Sequence, residues 1–270
     1  NALVIATTLV GYMVAVGRNS IDWSLLCHTL LGTGFCAACA SVLNQVVERR
    51  HDAKMPRTRN RPLPAGRTSP RDAAVLGLAL GIAGVMYLSA LVNLLTACLG
   101  LITIVWYLAL YTPAKRFTSL NTVIGAVPGA IPPVMGFTAA TDAIPPGALA
   151  LFGILFFWQM PHFLAIAILY RNDYELGGFR MLPCDDPDSR MTGLMMVLYA
   201  AALVPASLLP VVIHIAGPAY FTAAVLLGLA FLSFAVSCAI SGSRVDARKL
   251  FFASIVYLPL LLAAMVADRT

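Results

Sequence analysis

Residues 44–67 read NQVVERRHDAKMPRTRNRPLPAGR, a polar stretch set between long apolar ones. Asn44, Glu48 and Asp52 recur every fourth residue, so a helix running through them stacks three oxygen-bearing side chains on one face. That stripe suits a hard cation. Mg2+ takes oxygen ligands, commonly one or two carboxylates, with substrate phosphates supplying the rest. Lys54, Arg57, Arg59 and Arg61 follow, with positive charge and N–H donors that match phosphate oxygens. Pro62 and Pro64 are expected to stop the helix and hold the exit extended. A loop enriched in Lys and Arg for topology alone is the competing reading. The carboxylates decide against it, because topology needs none.

Beyond this stretch the chain is almost uncharged. Hydrophobic residues make up 60% of it and charged residues 11%, and the mean hydropathy is +0.84. That leaves too little polar surface to coat a soluble globule. The expected fold is an all-α polytopic membrane protein, one domain over residues 1–270. The apolar windows fall at 2–17, 22–47, 72–91, 93–112, 119–139, 146–170, 191–213, 217–240 and 246–268, against a need of ~20 residues per crossing. About nine helices result, too many for a signal peptide plus one anchor. The first is short and is expected to lack its true beginning, and any targeting segment is expected to lie outside this sequence.

Charge tests that count. With nine spans, the loops after the second, fourth, sixth and eighth share one side and hold 8, 2, 3 and 3 of the 18 Lys and Arg residues. Only Arg18 and Arg269 fall elsewhere. The positive-inside rule then puts the charged loops on the cytoplasmic or matrix side, around the mouth of a central cavity. The opposite connections, GRNSID, ATDAIPP and HIAGP, carry almost no chemistry. The net charge of +6 is a matter of topology, and no nucleic-acid motif, Ser nucleophile elbow or phosphate-cradling GxxxxGK is present. Of six cysteines, Cys36, Cys39, Cys98 and Cys238 lie in apolar runs and read as small buried hydrophobes. Cys36 and Cys39 have no second pair to make a metal site.

Two further stretches face that mouth. In YTPAKRFTSLNT, Pro113 is expected to end the helix near Thr112, leaving Tyr111, Lys115, Arg116 and Asn121 around it. Lys115 and Arg116 are either diphosphate binders or membrane-anchoring basics. NTVIGAVPGAIPPVMGF is broken by Gly125, Pro128, Gly129, Pro132, Pro133 and Gly136. A helix this punctuated survives in lipid only where protein or a cavity satisfies its freed backbone groups, so it should sit against the cavity.

The pattern N-x-x-x-E-x-x-x-D-x-x-M-x-R-T-x-N-R-P-L resembles the first aspartate-rich motif of the UbiA-type intramembrane prenyltransferases, and within them the heme O synthase branch. The family usually has Asp where this chain has Glu48; Glu keeps the charge and adds a methylene. Tyr111, Lys115 and Arg116 are similar to the family's Y-x-x-x-K-R motif. Where relatives acting on aromatic acceptors carry a second aspartate-rich motif, this chain has WQMPHF. The resemblance covers nearly the whole chain. It implies Mg2+ at Asn44, Glu48 and Asp52, which with Lys115 form the catalytic set, and diphosphate on Lys54, Arg57, Arg61, Tyr111, Lys115 and Arg116. The implied reaction moves a farnesyl group from farnesyl diphosphate to a vinyl group of heme b, yielding heme O, a precursor of heme A. A quinone-precursor acceptor is the alternative, and a transporter or assembly factor that binds anions without turnover is a third.

His162 is an ionisable side chain within a span and so a functional candidate. It is read as a heme ligand or hydrogen-bond partner, or else as a buried histidine bonded to a backbone carbonyl. Trp158 joins it. Asp173 could bind a second metal or a basic partner, while Arg171 and Arg180 suit heme propionates or plain interfacial anchoring. Heme A synthase or cytochrome oxidase assembly factors are the implied protein partners. Asn44-Gln45 followed by Glu48 resembles the eukaryotic branch, hence the mitochondrial inner membrane, with a bacterial plasma membrane as the alternative.

Overall fold

The computed structural model describes all of residues 1–270 as an antiparallel helical bundle whose only β pairing is one isolated bridge, Ala216 to Arg269. The helices are α1 (Ala2–Val16), α2 (Trp23–Asp52), α3 (Pro70–Leu91), α4 (Leu94–Val105), α5 (Thr112–Phe117), α6 (Asn121–Thr141), α7 (Pro146–Leu169), α8 (Arg171–Gly177), α9 (Leu182–Asp185), α10 (Arg190–Val212), α11 (Pro218–Ser241) and α12 (Arg244–Ala267). A π-helical turn, Trp106–Tyr111, fuses α4 and α5 into one rod. Eight helices are long and apolar enough to cross a membrane, this rod counting as one; α1, with 15 residues, is a shorter apolar ninth. The chain is a multi-pass membrane protein.

Small residues set the closest crossings. Gly11 on α1 meets the Pro133 carbonyl on α6, and Gly136 meets the backbone of Thr8 and Tyr12, so a Cβ at either position would strike the other helix. Through this contact α1 buries Thr7, Thr8, Gly11 and Tyr12 against α6. The second half of the chain (α7, α10, α11, α12) packs a continuous core around Leu151, Ile154, Leu203, Phe231 and Leu258. A smaller cluster of Cys36, Cys39, Leu88, Ala97 and Met135 joins α2, α3, α4 and α6.

α6 is the most buried of the spanning helices and stays continuous despite Pro128, Pro132 and Pro133. Pro128 has no N–H for the carbonyl of Ile124. The Trp106 indole N–H, at the start of the π-helical turn, donates to that carbonyl at 2.9 Å.

Two expectations are corrected. Pro113 does not end its helix: a π-helical turn precedes it in place of an α-helical one, and the rod runs to Phe117. Pro62 and Pro64 do not hold an extended exit. They sit in successive turns closed by Ala65 N–H to the Arg61 carbonyl and Arg67 N–H to the Pro62 carbonyl, with Gly66 at φ +69°.

The charged loops converge at one end. Arg57 N–H reaches Asp173, Arg180 N–H donates to the Lys115 carbonyl, and Arg244 donates to the Leu169 carbonyl. At the other end Arg18 donates to the Arg269 carbonyl and Arg269 to that of Gly17. The two cations outside the basic loops are thereby spent on main-chain carbonyls.

Candidate active site

α2 continues through Asp52, so Asn44, Glu48 and Asp52 do share a face, and all three are buried (8%, 4% and 1% exposed). Each carboxylate holds a cation. Lys115 Nζ lies 2.8 Å from Glu48 Oε1, and Arg61 Nη1 lies 3.0 Å from Asp52 Oδ2. Asn44 donates from Nδ2 to Glu48 Oε2 at 2.9 Å and accepts at Oδ1 from the Thr112 hydroxyl, also at 2.9 Å. The Thr58 hydroxyl bonds the Asp52 carbonyl, folding the basic loop back over the end of α2.

A second stripe faces the first. Tyr107, Tyr111 and Lys115 recur every fourth residue along the rod, and the Lys115 ammonium stands 4.4 Å from the Tyr111 ring centre and 6.0 Å from that of Tyr107. Phe179 closes the cage at 5.9 Å. Asn121, fully buried, holds this corner by donating to the carbonyls of Thr118 and Arg180. Arg116 donates to the Val47 carbonyl from Nη2, and its Nε is buried and unpaired. Arg57 is exposed, bonded through Nη2 to the Tyr174 hydroxyl and stacked over Tyr170 at 4.7 Å. Lys54 is exposed at the rim.

Beneath the two stripes lies a cavity of about 290 Å³. Its walls come from Cys36, Ala37 and Ala40 of α2, Thr103 of α4, Tyr107 and Tyr111, Gly125, Pro128, Gly129 and Pro132 of α6, and Gln159 and Phe163 of α7. The punctuated helix therefore faces the cavity, as its composition required. The arrangement joins buried anionic oxygens and cations at the mouth to an apolar chamber below. It can bind a diphosphate head with an apolar tail.

Trp158 and His162 stand apart from that chamber, in the contact between α7 and α12. The Trp158 indole donates to the Ser254 carbonyl at 2.9 Å, and His162 Nδ1 meets the Ser254 hydroxyl at 2.6 Å. The His162 ring lies between Trp158 and Phe251, at centroid distances of 5.0 and 5.2 Å. Asp173 and Arg171 lie at the rim, Asp173 bonded to Arg57 N–H and Arg171 paired with Glu175.

A sequence model of the UbiA prenyltransferase family matches residues 4–256. The chain belongs to the UbiA prenyltransferase family. It is 44% identical to the protoheme IX farnesyltransferase of Solibacter usitatus over 99% of this chain and 94% of that protein. It is 43% identical to those of Koribacter versatilis, over 99% and 89%, and Salinibacter ruber, over 99% and 94%. Among solved structures it is similar to a digeranylgeranylglyceryl phosphate synthase (17% identical, 98% of this chain and 92% of that one, TM-score 0.80). It is also similar to UbiA homologues from Aeropyrum pernix (16%, 98% and 96%, TM-score 0.75) and from Archaeoglobus fulgidus bound to DMAPP and Mg2+ (14%, 98% and 96%, TM-score 0.66). These three share its fold.

Several residues at this UbiA-family site escaped the reading of the sequence. Tyr107 was not singled out because Pro113 suggested that the helix stopped short of Lys115; the four-residue spacing of Tyr107, Tyr111 and Lys115 was the available signal. Thr112 and Phe179 arrive through contacts between distant segments and left none, while Gln159 lay within WQMPHF without being singled out.

Proposed function

We propose that this chain transfers the farnesyl group of farnesyl diphosphate to a vinyl group of heme b, making heme O, with residues 1–270 acting as one prenyltransferase domain. One observation carries the chemistry: two buried carboxylates, each held by a cation, close over an apolar cavity. The acceptor and the prenyl group follow the bacterial relatives, which match nearly end to end.

Lys115, Arg116, Arg57 and Arg61, with Lys54 at the rim and Tyr111 beneath Lys115, supply the counter-charge for a diphosphate. Asn44, Glu48 and Asp52 offer only oxygens, the donor set Mg2+ accepts. These three ligands leave the rest of the coordination to substrate oxygens, a reading supported by the Archaeoglobus fulgidus homologue bound to DMAPP and Mg2+. Bound there, Mg2+ would neutralise charge on the leaving diphosphate. Lys115 keeps positive charge where negative charge grows as the allylic C–O bond breaks. The cavity walls of α2 and α6 take the farnesyl chain and keep bulk water from the electron-poor carbon. Trp158 and His162, on α7 beside the chamber, with Arg171 and Asp173 at the rim, are assigned to the heme side of the site. The bacterial relatives favour a plasma membrane, with the charged mouth facing the cytoplasm, over the mitochondrial inner membrane.

The test is to incubate purified protein with heme b, farnesyl diphosphate and Mg2+ and resolve the products by mass spectrometry. A farnesylated heme that vanishes with EDTA is expected. Diphosphate release without modified heme would move the reading to a quinone-precursor acceptor. Neither product, from folded protein, would overturn the enzyme reading in favour of an anion-binding transporter or assembly factor.

A further inference from the structure

Gln159 is an amide in the middle of a spanning helix, only 4% exposed. Its Nε2 donates to the Ala126 carbonyl at 2.7 Å. That bond fixes the amide's orientation, since a carbonyl only accepts, and so Oε1 points away from Ala126. Oε1 receives no donor from the protein, and the side chain lines the cavity. Gly129 makes room for it: a Cβ there would overlap Oε1. One turn nearer the mouth, Gly125 makes the same room for the Tyr111 ring, which lies under Lys115. Lys115, Tyr111 and Gln159 therefore descend in order into the cavity, about one helical turn (~5.4 Å) separating the levels of Tyr111 and Gln159. A Met or Leu would fill the position of Gln159 without presenting an unpaired acceptor oxygen to the cavity.

The reaction proposed above has a use for it. C1 of the farnesyl group leaves the diphosphate oxygen and bonds to the terminal vinyl carbon, which leaves the electron deficit on the vinyl carbon attached to the porphyrin. That carbon must then lose a neighbouring proton, giving an alkene, or take a water oxygen, giving a hydroxyl. We infer that Gln159 is a catalytic residue whose Oε1 accepts a hydrogen bond from this water and aims its lone pair at the cation. The water oxygen forms the new C–O bond, and the proton it releases passes to the departing diphosphate. No oxidant is required, and the products are a hydroxylated farnesyl heme and protonated diphosphate. Bulk water stays excluded while one molecule is held below the cleavage point.

The inference rests on the heme-farnesylation reading, and the experiment separates the two. Gln159→Met keeps the length of the side chain and removes the acceptor, whereas Gln159→Glu keeps an acceptor oxygen. The readout is the ratio of hydroxylated to unhydroxylated farnesyl heme made in isotopically labelled water. Gln159→Met should shift that ratio about tenfold toward the alkene, the discrimination one such hydrogen bond confers. Gln159→Glu should stay near wild type, with label in the hydroxyl. A wild-type ratio in Gln159→Met overturns the inference. So does a Gln159→Met protein that binds both substrates yet yields neither product, because water capture follows carbon–carbon bond formation. The ratio is internal to the product and does not depend on how much of the variant folds. Wild-type protein that yields no farnesylated heme would instead overturn the heme reading itself.

Discussion

Glu48 and Lys115 are 67 residues apart in sequence, yet the Lys115 ammonium lies 2.8 Å from Glu48 Oε1 with only 13% and 5% of the two side chains exposed. Removing one member of so enclosed a pair leaves the other charge without a partner, at a cost of about 3 kcal/mol. Lys115→Ala should therefore lower thermal stability in detergent as well as stop diphosphate release. Adding Glu48→Gln should recover most of the stability and none of the activity, which a double-mutant cycle on melting temperature and turnover checks.

Thr112 ties the π-helical turn to the carboxylate stripe, its hydroxyl meeting both Asn44 Oδ1 and the Tyr107 carbonyl. Without it the Asn44 amide is held by Glu48 alone. Thr112→Val should raise the Mg2+ concentration needed for half-maximal diphosphate release by about tenfold, the worth of one buried hydrogen bond. Thr112→Ser should restore it. A Mg2+ titration of the three proteins gives the answer.

Trp106 donates to the Ile124 carbonyl that Pro128 leaves unpaired. Trp106→Phe should destabilise the bundle by ~1–3 kcal/mol, the penalty for an unsatisfied buried carbonyl. Pro128→Ala, which returns the missing N–H, should reduce that loss. Melting temperatures of the single and double variants measure the coupling.

His162 and Trp158 share Ser254 as their hydrogen-bond partner. His162→Ala should weaken heme b binding more than farnesyl diphosphate binding, as followed by heme absorbance titration. Equal heme affinity in the two proteins would assign His162 and Trp158 to the packing of α7 on α12.

The sequence revealed what short-range periodicity encodes. The four-residue spacing of Asn44, Glu48 and Asp52 was enough to align them on α2, and the one-sided placement of Lys and Arg was enough to bring four loops to one mouth. The Gly and Pro content of α6 pointed to a helix against a cavity for a physical reason, the need to satisfy freed carbonyls. The donor that meets this need, Trp106, was not legible, because it comes from another helix. Pro113 misled for a related reason: the local rule that proline ends a helix assumes an α-helical turn before it, and here a π-helical turn precedes it. Gln159 lies within WQMPHF, but its place was legible only once Ala126, Gly129 and the cavity surrounded it.

Asp52 tests the central claim, that the α2 carboxylates and their cations form the ionising site. The measurement is Mg2+-dependent diphosphate release from farnesyl diphosphate and heme b, comparing wild type with Asp52→Asn, alongside melting curves of both. The predicted result is a rate lower by at least about a hundredfold, as for other groups that stabilise developing charge, in a variant that still unfolds cooperatively. Wild-type-like, Mg2+-dependent release from Asp52→Asn would contradict the account.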